Sequence, residues 1–337
     1  MRLFRTCLAT AVLAMLIEAV AAAPQLGMEP PRKQRYDRHD FRKDERVYVT
    51  LGGMKKTYFV GEPVEVPLVF TNHSRFKIHV VTNLIPRSKL EVHIRPFGSP
   101  EHRYYGPFSQ GQYPPSDYTV FPYDELTVPV LIWGDPQQPG DLAFPEPGRY
   151  TVRMNLRLDV PEASLFGATY EIPPFEIDVD PTPQQLEKLI DTLKQDQGFS
   201  DLQLRQLPVG WNEDQFALME AHSPCPLTPY MFYAAANHLN LQWQQQEALD
   251  KELANKALYY YQVAARSDSA YRFEIYMDLL DLMDRLGMSE AAVQTSLEML
   301  EKIHPDYLGR LGKSQVLRKY LLNTEELDPM QDWSLLP

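Results

Sequence analysis

Between Tyr150 and Val160 apolar residues take every second place: Tyr150, Val152, Met154, Leu156, Leu158 and Val160. Thr151, Arg153, Asn155, Arg157 and Asp159 lie between them. A period of two predicts a strand with one face in a core and one in water. Pro147-Gly148 just ahead supplies a tight turn. The same period runs through Val64, Val66, Leu68 and Phe70, behind the turn Val60-Gly61-Glu62-Pro63. Pro67 falls on the outward set there and lacks a ladder donor, which predicts a bulge or a sheet edge. Shorter apolar runs at 47–51, 76–81, 90–94, 118–121, 126–133 and 175–179, with 55–58 leading into the turn at Val60, bring the total to about seven or eight strands between 47 and 180. That is the number a β-sandwich uses.

After Asp180 the period changes. In Asp180-Pro181-Thr182-Pro183, Thr182 suits an N-cap, Pro183 the first helical position and Gln185 position N3. Leu186, Leu189, Ile190 and Leu193 then recur at helical spacing, and Gly198 is expected to stop that helix. Further helices are predicted over 200–207, 212–221, 228–243, 246–265, 271–286, 289–303 and 313–322. In the helix at 271–286, Phe273, Tyr276, Met277, Leu280 and Met283 form one apolar stripe, and Ile275, Leu279, Leu282 and Leu286 a second. Glu274, Asp278, Asp281 and Arg285 are left as a polar strip, read as a solvated face. A helix apolar on two sides lies between neighbours, as in a stack of helical hairpins.

The flanks differ from both halves. Residues 1–23 carry Arg2 and Arg5, a short apolar run from Leu8 to Ile17, and small residues at Ala19-Val20-Ala21, the arrangement of a secretory signal. Residues 24–46 are polar and charge-mixed and are expected to act as a flexible tether. The expected organisation is therefore a signal peptide (1–23), a linker (24–46), a β-sandwich (47–180), a helical domain (181–322) and a tail (323–337). The tail ends in the apolar Trp333-Ser334-Leu335-Leu336-Pro337, which would dock on the helices or engage a partner.

Two resemblances follow from particular residues. The order Val-Gly-Glu-Pro-Val-Glu-Val at 60–66, with Thr71-Asn72 after it and Pro-Gly-Arg-Tyr-Thr-Val-Arg at 147–153, resembles an exported bacterial immunoglobulin-like domain. Glu146-x-Gly148-x-Tyr150-x-Val152 is similar to the corner signature at the start of strand F in that fold. The resemblance implies that Tyr150 turns its hydroxyl back to the chain just upstream, behind the turn at Gly148. It also places Val152 where disulfide-bonded members have Cys. Ala257-x3-Tyr261-x2-Ala264 is similar to the second helix of a tetratricopeptide repeat, and Ala291 lies 34 residues beyond Ala257, the period of that repeat. Thr295 and Glu298 depart from the pattern, and a compact irregular helical domain is the competing reading. The expected fold class is thus an immunoglobulin-like antiparallel β-sandwich followed by a tetratricopeptide-like helical domain.

Composition narrows the function. The net charge is −12, which argues against general nucleic-acid binding, since that depends on Lys and Arg neutralising phosphates. Of the two cysteines, Cys7 lies in the leader, so a cleaved chain would keep Cys225 alone and form no internal disulfide. No later segment is long and apolar enough to cross a membrane, so the mature chain is expected to be periplasmic or secreted.

Several constellations invite a chemical reading. Cys225 stands in His222-Ser223-Pro224-Cys225-Pro226 and could pair with His222 as a nucleophile, although an inert thiol is the expected state. His79 and His93 could meet if their strands paired, but no third ligand is placed to complete a metal site. Glu274, Asp278 and Asp281 share a helix face without the Glu-x-x-His pair of a di-metal bundle. Asn72-His73-Ser74 fits an N-glycosylation acceptor. Tyr104, Tyr105, Phe108, Tyr113 and Tyr118, set among Gly, Pro, Ser and Gln, form a candidate ligand-binding loop or, equally, a cap on the sandwich core. No catalytic set, cofactor or metal is expected. The function expected is an exported, non-catalytic binding or adaptor protein with a protein or envelope-polysaccharide partner. The alternatives are a proteinase inhibitor using sandwich loops and an enzyme with a site between the two domains.

Overall fold

The computed structural model describes residues 47–73, 78–81, 90–106, 117–120, 123–160, 165–195, 197–245 and 251–288. The expected leader, linker and tail lie outside them, as do the helices expected at 289–303 and 313–322. The described residues of the N-terminal half form ten strands: β1 (Val47–Leu51), β2 (Thr57–Phe59), β3 (Val64–Asn72), β4 (Ile78–Val81), β5 (Leu90–Pro96), β6 (His102–Tyr104), β7 (Asp117–Val120), β8 (Glu125–Ile132), β9 (Gly148–Val160) and β10 (Leu165–Asp180). Among the described residues they form a three-stranded sheet ordered β1-β3-β8, a five-stranded sheet ordered β2-β10-β9-β5-β6, and a β4-β7 pair. Pairing is antiparallel throughout, except that β2 runs parallel to the end of β10.

Alternation sets the layers. Along β3 every second residue is buried, from Val64 through Val66, Leu68 and Phe70 to Asn72. On the larger sheet Val92, Ile94, Val152, Met154 and Leu156 are buried in the same apolar cluster. Burying a side chain of this size stabilises the fold by about 1.5–3 kcal/mol.

Pro67 departs from expectation. It lies neither at a bulge nor on an edge strand: β3 is the middle strand of its sheet, and its register with β8 runs unbroken through Pro67 and Pro129. The reason is local. β1 stops at Leu51, opposite Leu68, and the Pro67 carbonyl accepts the Gly52 N–H (2.8 Å) just past that end. The missing Pro67 donor therefore faces no ladder partner.

At the start of β9, Gly148 adopts φ 150°, a conformation that side chains rarely allow. The Tyr150 hydroxyl donates to the Glu146 carbonyl (2.8 Å) and its ring meets Phe144 edge-on.

The C-terminal half is helical: α1 (Glu187–Leu193), α2 (Gly198–Gln203), α3 (Glu213–Ala221), α4 (Thr228–Gln245), α5 (Lys251–Ala265) and α6 (Arg272–Arg285). Two boundary expectations fail. Thr182 does not cap a helix; its hydroxyl donates to the Val60 carbonyl (2.9 Å) and ties the chain to the sheet. Gly198 opens α2 instead of ending α1, because Gln197 turns the chain with a left-handed φ of 59°. Asn212 does cap α3, with a reciprocal capping box to Gln215.

From Tyr230 to Ala236 every residue of α4 is buried, because helix and sheet cover it on different sides. Ala257, Tyr261 and Ala264 of α5 are buried, and so are Ile275, Leu279, Leu280 and Leu282 of α6. The halves are not separate in their packing: one continuous cluster of buried side chains runs from β1 to α6.

Removing the Tyr150 hydroxyl should leave the fold intact. Tyr150→Phe is expected to lower unfolding stability by about 1 kcal/mol, read as a shift of the denaturant midpoint at constant slope.

Candidate functional site

The residues that converge most closely lie where sheet meets helices. Trp133 follows directly on β8 and is almost wholly buried. Its indole N–H donates to the Gly61 carbonyl (2.9 Å) and its backbone N–H to the Tyr104 hydroxyl (3.3 Å). Its ring packs on Phe199 of α2 (5.4 Å between centroids) and Tyr230 of α4 (5.1 Å). Beside it Gly134 allows α2 to approach the strand end: a Cβ there would sit 2.5 Å from the Ser200 backbone nitrogen.

Polar side chains close the seam. The Gln203 carboxamide donates to the Leu131 carbonyl (3.0 Å) and accepts from the Gly134 N–H (2.8 Å) and the Tyr104 hydroxyl (3.1 Å). A single side chain thus occupies the edge of β8 as a neighbouring strand would. Asp141, held at φ 57°, accepts the Ser200 N–H (2.6 Å) and the Ser200 hydroxyl. Asp135 stands close by with Oδ2 buried and without a hydrogen-bond partner. Burial pushes Asp135 and Asp201 up to about 6 and raises Asp141 as well, and the Asp141 charge adds to the first two.

Farther along, Glu65 on β3 accepts the Tyr230 hydroxyl, and burial pushes its carboxyl up to about 7. The aromatic series continues from Tyr230 to Tyr271 (5.5 Å) and from Tyr271 to Tyr233 (6.1 Å). The Arg205 guanidinium lies over the Tyr271 ring (5.6 Å) and faces Tyr233, Glu274 and Asp278. Tyr233 donates to Asp278 (2.7 Å), whose carboxyl burial pushes up to about 6, and Tyr271 donates to the Gln203 carbonyl. Carboxylates with raised pKa, a cation and hydroxyls are the ingredients of a proton-handling or ligand-binding centre. Here most of them already hold one another.

The residues singled out by sequence fall elsewhere. Tyr104 is in the core under Gln203, whereas Tyr105 is over a third exposed with Arg103 across its ring (5.2 Å). Phe108 and Tyr113 lie outside the described residues, and Tyr118 has its backbone on β7 opposite Val80.

His79 and His93 do not meet by strand pairing: β4 pairs with β7, and β5 with β6 and β9. Among the described residues no group of three His, Cys, Asp or Glu is placed to hold a metal. His222 uses Nδ1 on the Leu218 carbonyl (2.7 Å), while the Cys225 sulfur contacts the Thr228 hydroxyl (3.6 Å). Asn72 is wholly buried and donates Nδ2 to the Val120 carbonyl (3.2 Å), so its sequon is not available in the folded chain. The strip on α6 is not a solvated face: Glu274 is 8% exposed and Asp278 serves Tyr233, and only Asp281 pairs with Arg285 (2.7 Å) as an exposed i, i+4 couple would.

Sequence reasoning passed over Glu65, Asp141, Gln203, Arg205 and Tyr230. Glu65 belongs to the outward set of its strand, and nothing in a period of two says that a helix will cover that face.

One open groove of about 660 Å³ lies between the β1–β2 connection and β10, lined by Leu51, Met54, Phe175, Lys56, Arg149 and Asp178 among others. Its charges are largely paired, Arg149 with Asp178 (3.0 Å) and Lys55 with Glu62 (2.6 Å). No described helix is long and apolar enough to cross a membrane.

No family model matches the chain, and no curated protein matches it. A beta-glucosidase from Listeria innocua in complex with isofagomine is similar over 40% of this chain, at 14% identity and TM-score 0.23, and this chain spans only 16% of that one. The CARDB domain of the PF1109 protein from Pyrococcus furiosus, in complex with di-metal ions, is similar over 43% of this chain and 98% of its own, at 14% identity and TM-score 0.20. The ASH/PapD-like domain of human CEP192 is similar over 43% and 92% respectively, at 11% identity and TM-score 0.22.

Gln203 provides a direct test of the seam. Gln203→Ala strands the Leu131 carbonyl and the Gly134 N–H, and is expected to cost about 2–4 kcal/mol in denaturant unfolding.

Proposed function

We propose that this chain is an exported, non-catalytic binding protein. In this reading an immunoglobulin-like sandwich and a tetratricopeptide-like set of hairpins are fixed to each other as one recognition scaffold. The observation that carries it is the use made of the junction's polar groups. Glu65, Asp141, Gln203 and Tyr230 are engaged in holding sheet to helices, and Tyr271 ties the start of α6 to the end of α2. The tyrosine corner at Tyr150 and the small-aromatic-small spacing on α5 support the two fold readings. A protein segment or an envelope polysaccharide is the partner class, and the periplasm or the extracellular space the setting.

One observation favours a second reading, an enzyme at the junction: Glu65 and Asp278 are pushed to about 7 and about 6, in the range where a carboxyl trades protons near neutrality.

Affinity capture from envelope extracts, using the mature chain at several salt concentrations, separates the two. The binding reading expects a partner retained equally by wild type and by Asp278→Asn. Failure to retain any partner, together with a hydrolytic activity lost in Asp278→Asn, would establish the enzyme instead.

A further inference from the structure

We propose that the Glu65–Tyr230 contact is a proton-operated latch: with Glu65 protonated the helical half stays shut on the sheet, and with Glu65 ionised the lead-in to α6 around Ala270 releases.

The geometry comes first. Glu65 stands on the face of β3 turned away from the sandwich core, flanked by the buried Val64 and Val66, and the helices cover that face. Its carboxyl meets the Tyr230 hydroxyl, which is buried in α4. The Ala270 N–H closes the group, reaching both the Tyr230 hydroxyl (3.3 Å) and the Glu65 carboxyl. One carboxyl therefore joins β3, α4 and the turn that leads into α6.

The groups facing it offer no compensating charge. Tyr58 faces it from β2, Tyr230 from α4, Asp268 from the α5–α6 turn and Tyr271 from the start of α6. Lys55, the cation on the Tyr58 side, is paired with Glu62 (2.6 Å), and Arg272 beside Asp268 is paired with it (3.1 Å). The Tyr230 O–H and Ala270 N–H favour the ionised carboxylate, but burial, with the Asp268 charge beside it, outweighs them, so ionised Glu65 is stabilised by any opening that returns it to water.

The direction of the pH effect follows. Burial raises the Glu65 carboxyl from 4.5 to about 7 in the folded protein. A raised carboxyl binds its proton more tightly in the folded state, so the stabilisation is complete below the ordinary value and is lost as pH rises through about 7. For one group shifted this far the folding equilibrium changes on the order of 100-fold across that interval. Local opening at Ala270 needs less free energy than global unfolding, so it registers the change first.

The test is hydrogen exchange of the Ala270 amide in the full chain between pH 5 and 8, corrected for the intrinsic rate, in wild type and Glu65→Gln. Gln keeps the shape and an amide oxygen to accept the Tyr230 hydroxyl but cannot ionise. Wild type should lose about 10- to 100-fold of its protection at Ala270 as pH rises through 7, and Glu65→Gln should lose none of that increment. A parallel readout on unmodified protein is the carboxyl carbon resonance of Glu65, expected to titrate near 7. If Glu65→Gln does not fold, that resonance and the wild-type exchange profile decide the matter. Protection at Ala270 independent of pH in wild type, or the same loss in Glu65→Gln, would overturn the latch.

Discussion

The close approach of α2 to the end of β8 is the constraint on which the arrangement depends. It requires a glycine at 134, because any side chain there would meet the Ser200 backbone. It places Trp133 between strand and helix with aromatic rings on both sides and its indole N–H satisfied by Gly61. Among the described residues β8 is an edge strand, and Gln203 presents an amide to that edge. Packing alone would bring the two halves together. The amide and the glycine fix where they meet.

The same closeness is the source of the unusual electrostatics. Four carboxyls, Glu65, Asp135, Asp141 and Asp201, sit at or beside the seam, and each is shifted upward by burial. Neutral hydroxyls and backbone N–H groups serve where salt bridges would stand in a more solvated interface. Such a seam is specific in geometry and sensitive in protonation, since every one of its anions resists ionisation. Arg205 and Asp278 form the helical counterpart, where a cation and an anion are present together and tyrosines fill the space between.

Much of the scaffold was legible in the sequence because it follows short periods. The alternation in β3 and β9, the two-sided apolar pattern of α6 and the change of period at Asp180 are all local statements, and each corresponds to an element. What remained hidden is what one half does to the outside of the other. Glu65 and Pro67 look solvent-facing from the alternation of β3, yet a helix covers the first and the end of β1 excuses the second. Glu274 and Asp278 look like an exposed strip until Arg205 and Tyr233, distant in sequence, are placed over them. Thr182 has the sequence context of a helix cap, yet its hydroxyl donates to the Val60 carbonyl, a contact 122 residues away in the chain. The candidate site is made of long-range contacts, and periodicity carries no information about those.

The central claim is that sheet and helices form one cooperative body joined at Trp133, Gln203 and Glu65. Scanning calorimetry of the full chain at pH 5 tests it most directly. A single transition whose calorimetric and van't Hoff enthalpies agree is the predicted result. Two resolved transitions, one carrying the loss of β signal and the other the loss of helix, would contradict it.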